Sequence, residues 1–223
     1  MSEQGREWTR YLNGERNTFP SFKEFYQFAT SGTPLEENPS LREPREIRHV
    51  VWDADETIWT IKPGNVASGC HPPFNHVDED TVQANCEGNF RRSKKRGRPR
   101  YVTVDRPSEI RLRPSLRDTL GRLESMGIRS SIASQNAPGS VEAIIEAFGL
   151  TDKFDVIKST HELKAHMVAD ISEITGIPSE EMLFIDDIPG NVSEVTEDTG
   201  ALGLCIDRDI DTPGQVLDFI KRS

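Results

Sequence analysis

The chain has 223 residues, 37 acidic and 27 basic, for a formal charge of -10 and an isoelectric point near 5.1. Its length suits one domain with an appendage, and its 35% apolar content excludes wholesale disorder. The acid surplus argues against a general nucleic-acid binder, and no stretch nears the ~18 apolar residues of a membrane span.

Residues 1–46 read as an N-terminal extension. They hold Trp8, Tyr11, Phe19, Phe22, Phe25, Tyr26 and Phe28, seven of sixteen aromatics. Ser21 followed by Glu24 is a capping box, so a short helix is expected there. Its exit, Ser31 to Pro44, reads as a linker. The first twenty residues carry charges throughout and do not read as a secretory signal.

Residues 47–223 read as the main domain. His49 to Ala54 is an apolar strand ending in acid. A polar insertion at about 62–106 follows, with Pro63, Gly64, Gly69, Pro72, Pro73, Gly88, Gly97 and Pro99. Hairpins and loops are expected there. Alternation then becomes regular: a helix over Arg113–Gly127, a strand over Ile128–Ala133, a helix over Ser140–Phe148 and a strand over Phe154–Ile157. A helix over His161–Thr175, a strand over Met182–Ile185, a helix over Pro189–Thr199, a strand over Leu202–Ile206 and a last helix over Pro213–Ile220 complete the chain. Strands that are apolar without alternation predict a parallel sheet covered on both faces. The fold class is therefore α/β, a three-layer Rossmann-like parallel sheet with an insertion after its first strand and a helical N-terminal extension. In such sheets the site lies outside the carboxyl ends of the strands.

Charge is unevenly spread. Residues 1–150 hold 21 basic and 21 acidic residues, and residues 151–223 hold 6 and 16. Within the neutral part, Arg91, Arg92, Lys94, Lys95, Arg96, Arg98 and Arg100 form a dense basic run. Such a run repels itself and reads as a loop. It is either a solvated segment or a holder of a polyanion, nucleic acid included.

Three cysteines, an odd and small number, argue against a disulfide framework and for a reducing cytoplasm. Cys70, His71, His76 and Cys86 are types that bind zinc, but their spacing matches no common finger. His71 also begins the sequence HPPF.

Chemistry-bearing residues follow the strands. Asp53 and Asp55 leave the first strand two residues apart, so one can act as nucleophile or metal ligand and the other as proton donor. Thr57 follows. Ser134, Gln135 and Asn136 follow the second strand, where hydroxyl and amide groups suit a phosphoryl oxygen. Asp186 and Asp187 end an apolar strand, where two adjacent acids call for a hard cation such as Mg²⁺. Lys164, or its rival Lys158, supplies fixed positive charge.

The set Asp53-x-Asp55-x-Thr57, Ser134, Lys164 and Asp186-Asp187 resembles the four motifs of the haloacid dehalogenase-like superfamily. The likeness is carried by VVWDADETIW, HPPF, IASQNA and GIPSEEMLFIDD, and is nearest the magnesium-dependent phosphatase branch. It implies Asp53 as the nucleophile that becomes an aspartyl-phosphate, and Asp55 as acid and then base. It implies Thr57, Ser134, Gln135 and Asn136 at the substrate and Lys164 as charge neutraliser. Mg²⁺ would be held by Asp53, the Asp55 carbonyl, Asp186 and Asp187. Asn191 would hold the loop after the acids. The implied substrate is a phosphorylated small molecule or phosphoprotein. Two alternatives stay open: a phosphoryl- or glyceryl-transferase of the same superfamily, and a binding module that uses residues 91–100 for nucleic acid or protein.

Overall fold

The computed structural model describes residues 46–62, 67–92 and 100–220. The expected N-terminal helix and linker lie outside them, as do Lys94, Lys95, Arg96 and Arg98.

Five parallel strands form one sheet in the order β7-β6-β1-β8-β9. They are β1 (His49–Trp52), β6 (Arg129–Ser134), β7 (Ile157–Ser159), β8 (Met182–Asp186) and β9 (Leu202–Cys205). Every residue of β1 and β8 is buried. Strands buried on both sides need helices on both faces, which is why they read as unbroken apolar runs. On one face Val51, Ala133, Met182 and Phe184 pack with residues of α3 (Lys164–Thr175) and α4 (Pro189–Thr199). The other helices are α1 (Leu116–Ser125), α2 (Ser140–Ala147) and α5 (Val216–Ile220). The chain is thus the α/β layered sheet expected from its alternation.

Helix ends follow local chemistry. Pro189 begins α4, where its missing N–H would have had no partner. Gly200 ends it at φ +74°, a conformation that disfavours a Cβ, and donates its N–H to the Thr196 carbonyl.

Between β1 and α1 lies a second, antiparallel sheet in the order β2-β5-β4-β3. Its strands are β2 (Trp59–Lys62), β3 (Cys70–Asp78), β4 (Thr81–Arg92) and β5 (Arg100–Leu112). We call it the cap sheet. It is more regular than the hairpins and loops expected for this segment. Arg91 and Arg92 pair with Tyr101 and Arg100 as strand residues, so the basic run is not simply a loop.

The cysteine expectation is overturned. Cys70 and Cys86 are directly paired across β3 and β4 and form a disulfide, with Cα atoms 4.0 Å apart. The odd count arises because Cys205 stands apart as a buried free thiol. The pairing also removes the zinc alternative, because both thiols are consumed and His71 and His76 are left as exposed strand residues. Among the described residues, no helix is long and apolar enough to cross a membrane.

Candidate active site

The central strands end in acid, and their register brings the acids together. Trp52 lies opposite Ile185 in the β1–β8 ladder, and the Asp53 N–H donates to the Ile185 carbonyl at 2.8 Å. Asp53 and Asp186 therefore emerge side by side. Asp53, Asp186 and Asp187 each offer a carboxylate oxygen within 4.8 Å of the others, the one such cluster among the described residues. Asp186 is fully buried, Asp53 is nearly so and Asp187 is half-buried.

Lys164, the first residue of α3, is 1% exposed and enters this cluster. Its ammonium bonds Asp53 Oδ1, donates to the Ala133 carbonyl at 2.6 Å and lies 3.3 Å from Asp186 Oδ2. Lys158 points elsewhere, into an ion pair with Asp170 at 2.7 Å. Asp186 is held by the Ile188 N–H at 2.8 Å and by the Asn191 amide at 3.0 and 3.2 Å.

Three carboxylates with one lysine leave the cluster short of positive charge. Burial pushes the Asp53 carboxyl up to about 7, against the pull of Lys164 and helped by Asp186. Burial, then Asp186, raises Asp187 to about 6. In both cases burial is the larger cause and the neighbouring Asp186 carboxylate adds to it. A donor set made only of hard oxygens is the kind that suits Mg²⁺.

Thr57 is fully buried, and its hydroxyl has no hydrogen-bond partner among the described residues. Ser134, also fully buried, ends β6 and accepts from the Asn136 amide at 2.9 Å. Asn136 also donates to Asp55 Oδ2 at 2.9 Å. Gln135 differs from its neighbours: it is exposed and donates to the Glu162 carbonyl at 2.9 Å.

Contacts of Asp55 that sequence reasoning missed come from Trp59 and Ala67. The Trp59 indole N–H donates to Asp55 Oδ1 at 2.8 Å, and the Ala67 N–H reaches both oxygens at 3.1 and 3.0 Å. A tryptophan in an apolar segment must still place its N–H, and a carboxylate four residues earlier was the legible partner. Arg113 was also missed. It donates to the Glu56 carbonyl and forks onto Asp207. An arginine at the start of the helix expected over 113–127 gives no such signal.

Comparisons with known proteins bear on the family and the fold. A family model described as a haloacid dehalogenase-like hydrolase matches residues 47–193. The chain is similar to human magnesium-dependent phosphatase 1, at 26% identity over 148 residues, covering 66% of this chain and 71% of that protein. Its fold is similar to that of an uncharacterized protein from Listeria monocytogenes serotype 4b, with a TM-score of 0.50 and 16% identity over 79% of this chain and 100% of the other. Another solved relative is the N-terminal part of a Bacteroides fragilis protein containing a phosphatase domain complexed with Mg. It gives a TM-score of 0.49 and 19% identity, over 79% of this chain and 40% of that one, so the chain spans less than half its length. Because the family match takes in more than half of the chain, from before β1 to beyond Asp186-Asp187, this protein belongs to the haloacid dehalogenase-like hydrolases.

Proposed function

We propose that the protein is a Mg²⁺-dependent phosphatase that hydrolyses a phosphate monoester through an aspartyl-phosphate on Asp53. The observation that carries this reading is the buried Lys164 ammonium set between Asp53 and Asp186, with Asp187 beside them. The Mg²⁺ dependence in the name of the human relative supports it.

Asp53, Asp186, Asp187 and the Asp55 carbonyl are the groups that would hold the metal. Bound there, Mg²⁺ supplies positive charge to the phosphoryl oxygens and offsets the acids. Lys164 holds one oxygen of Asp53, and the other attacks phosphorus. As that bond forms, the ester P–O bond breaks, and Asp55 gives its proton to the departing alkoxide. Asp55 then takes a proton from the water that attacks the aspartyl-phosphate, and Asp53 leaves as a carboxylate. Thr57, whose hydroxyl has no partner among the described residues, and Ser134 provide donors for the phosphoryl oxygens. Lys164 sits in place before substrate arrives, so its charge needs no reorganisation during transfer. Gln135, bonded to a backbone carbonyl, has the weakest claim to the substrate of these residues.

The substrate class is a phosphorylated small molecule or a phosphoprotein. The test is turnover of aryl phosphates with Mg²⁺ by the wild-type chain and by Asp53→Asn. The variant is expected to lose all detectable turnover while keeping its circular dichroism. Retained turnover would sink the assignment. Phosphate appearing on an added alcohol instead of water would move the reading to a transferase.

A further inference from the structure

We infer that Trp59 is a positioning residue for Asp55, one part of a donor cradle that fixes the orientation of the second carboxylate from the cap side. The inference rests on the reading of Asp55 as the acid that protonates the leaving group.

Asp55 Oδ1 accepts from the Trp59 indole at 2.8 Å and from the Ala67 N–H at 3.1 Å. Oδ2 accepts from the same Ala67 N–H at 3.0 Å and from the Asn136 amide at 2.9 Å. Both oxygens are thus held, by groups from three separate segments. Trp59 begins β2, Ala67 begins the short turn leading to Cys70, and Asn136 follows β6. Trp59 is fully buried, and its indole nitrogen can only donate. A buried tryptophan is stiff, with two rotatable bonds and tight surroundings, so its N–H marks a fixed point in space. Trp59 pairs with Leu112 of β5, and the turn of Ala67 runs into the Cys70–Cys86 cross-link. The cap sheet therefore anchors to the acid itself and not to a bystander near it.

A carboxylate so held has one orientation in which to meet a leaving group, and general acid catalysis depends on that geometry. Trp59 needs no contact with substrate to matter. Its loss is expected to weigh most where the acid matters.

The experiment compares two probes, an alkyl phosphate whose alkoxide must be protonated and 2,4-dinitrophenyl phosphate, which departs without help. The readout is kcat/KM, which reports phosphoryl transfer and not the later hydrolysis. Asp55→Asn is expected to lose at least ~100-fold on the alkyl ester and little on the dinitrophenyl ester. Trp59→Phe, which keeps the ring and removes the N–H, is expected to lose ~10-fold on the alkyl ester and under ~2-fold on the other. The double variant is expected to be no worse than Asp55→Asn alone, since both act through one group. Trp59→Leu, which also removes the indole N–H, carries the test if Trp59→Phe does not fold. Equal losses on both probes, or additive losses in the double variant, would overturn the role of Trp59. If Asp55→Asn itself showed no dependence on the leaving group, the reading of Asp55 would fall, and the inference with it.

Discussion

Arg113 forks onto Asp207, Nη1 to Oδ1 at 2.7 Å and Nη2 to Oδ2 at 2.6 Å, while its Nε donates to the Glu56 carbonyl at 3.0 Å. Glu56 and Asp207 both have positive φ, 56° and 64°, a conformation non-glycine residues seldom adopt. One guanidinium thus pins two uncommon turns: the one carrying Asp55 and Thr57, and the one after β9. Arg113→Lys cannot reproduce the fork. It is expected to lower kcat/KM about 10-fold while costing only about 1 kcal/mol of stability, since Asp207 is largely exposed. Kinetics and urea unfolding on the same preparation separate the two effects.

Lys164 is buried between two carboxylates, so its removal leaves acids facing each other without compensation. Lys164→Met is expected to abolish turnover and to cost roughly 3–5 kcal/mol in metal-free buffer. Millimolar Mg²⁺ is expected to recover part of that loss. Unfolding curves of the variant with Mg²⁺ and with a chelator provide the check.

Gly203 lies under α4. A Cβ there would meet Val192 Cγ1 at 2.5 Å and Thr196 Cγ2 at 2.7 Å. Gly203→Ala is expected to push α4 away from β9 at a cost of about 1–3 kcal/mol. Because α4 carries Asn191, which holds Asp186, activity should fall as well. Adding Val192→Ala makes room and is expected to restore part of the melting temperature.

His49 is fully buried in β1, with one ring nitrogen on the Ser131 hydroxyl at 2.8 Å and the other without a partner among the described residues. Burial drives its pKa down from 6.5 to about 4, with Asp155 opposing and Arg129 assisting. Well above pH 6.5 both folded and unfolded chains carry a neutral imidazole, and His49 adds no pH dependence. Between about 6.5 and 4 the unfolded chain takes up a proton that the folded chain refuses, so stability falls with pH. The full loss is about 3 kcal/mol. His49→Gln is expected to flatten that part of the stability profile, measured by denaturant titration from pH 7 to 4.

The disulfide closes a loop between residues 16 apart. Its removal as Cys70→Ser with Cys86→Ser is expected to cost about 3 kcal/mol on a chain-entropy estimate. Melting of the oxidised wild type against the double variant checks it.

What was legible in the sequence was what a single pattern specifies. β8 and α4 lie nearly where their apolar runs and end signals place them, because Met182 to Ile185 are all buried and Pro189 and Gly200 punctuate the helix. The strand expected at 154–157 begins instead at Ile157. Phe154 is buried, but it does so from the segment before the strand, and the strand itself includes Lys158 and Ser159. The helix expected from His161 begins at Lys164, since the chain bends through His161 and Glu162 before it. The cap sheet was harder to read because β3 is exposed along most of its length, so no apolar period marks it. The Cys70–Cys86 pair depends on hairpin register, which cysteine counting does not contain. At the site, the acids, Ser134 and Asn136 were identifiable as residues that follow strands, whereas Lys164, at a helix start, was separated from its rival Lys158 only by the family resemblance. Trp59, Ala67 and Arg113 act through an indole, a backbone amide and a distant fork, none of which leaves a motif.

The pairing of Trp52 with Ile185 has a last consequence. Successive residues of a strand face opposite ways, so a slip of β8 by one position would present Asp187 where Asp186 now stands and aim the latter into the opposite layer. The acid pair thus works as a vernier on the central ladder: only one alignment of β1 with β8 lets its oxygens converge with those of Asp53. Any divalent cation that favours this convergence also favours that alignment over its neighbours. Added Mg²⁺ is therefore expected to raise the protection of the β1 and β8 amides from hydrogen exchange.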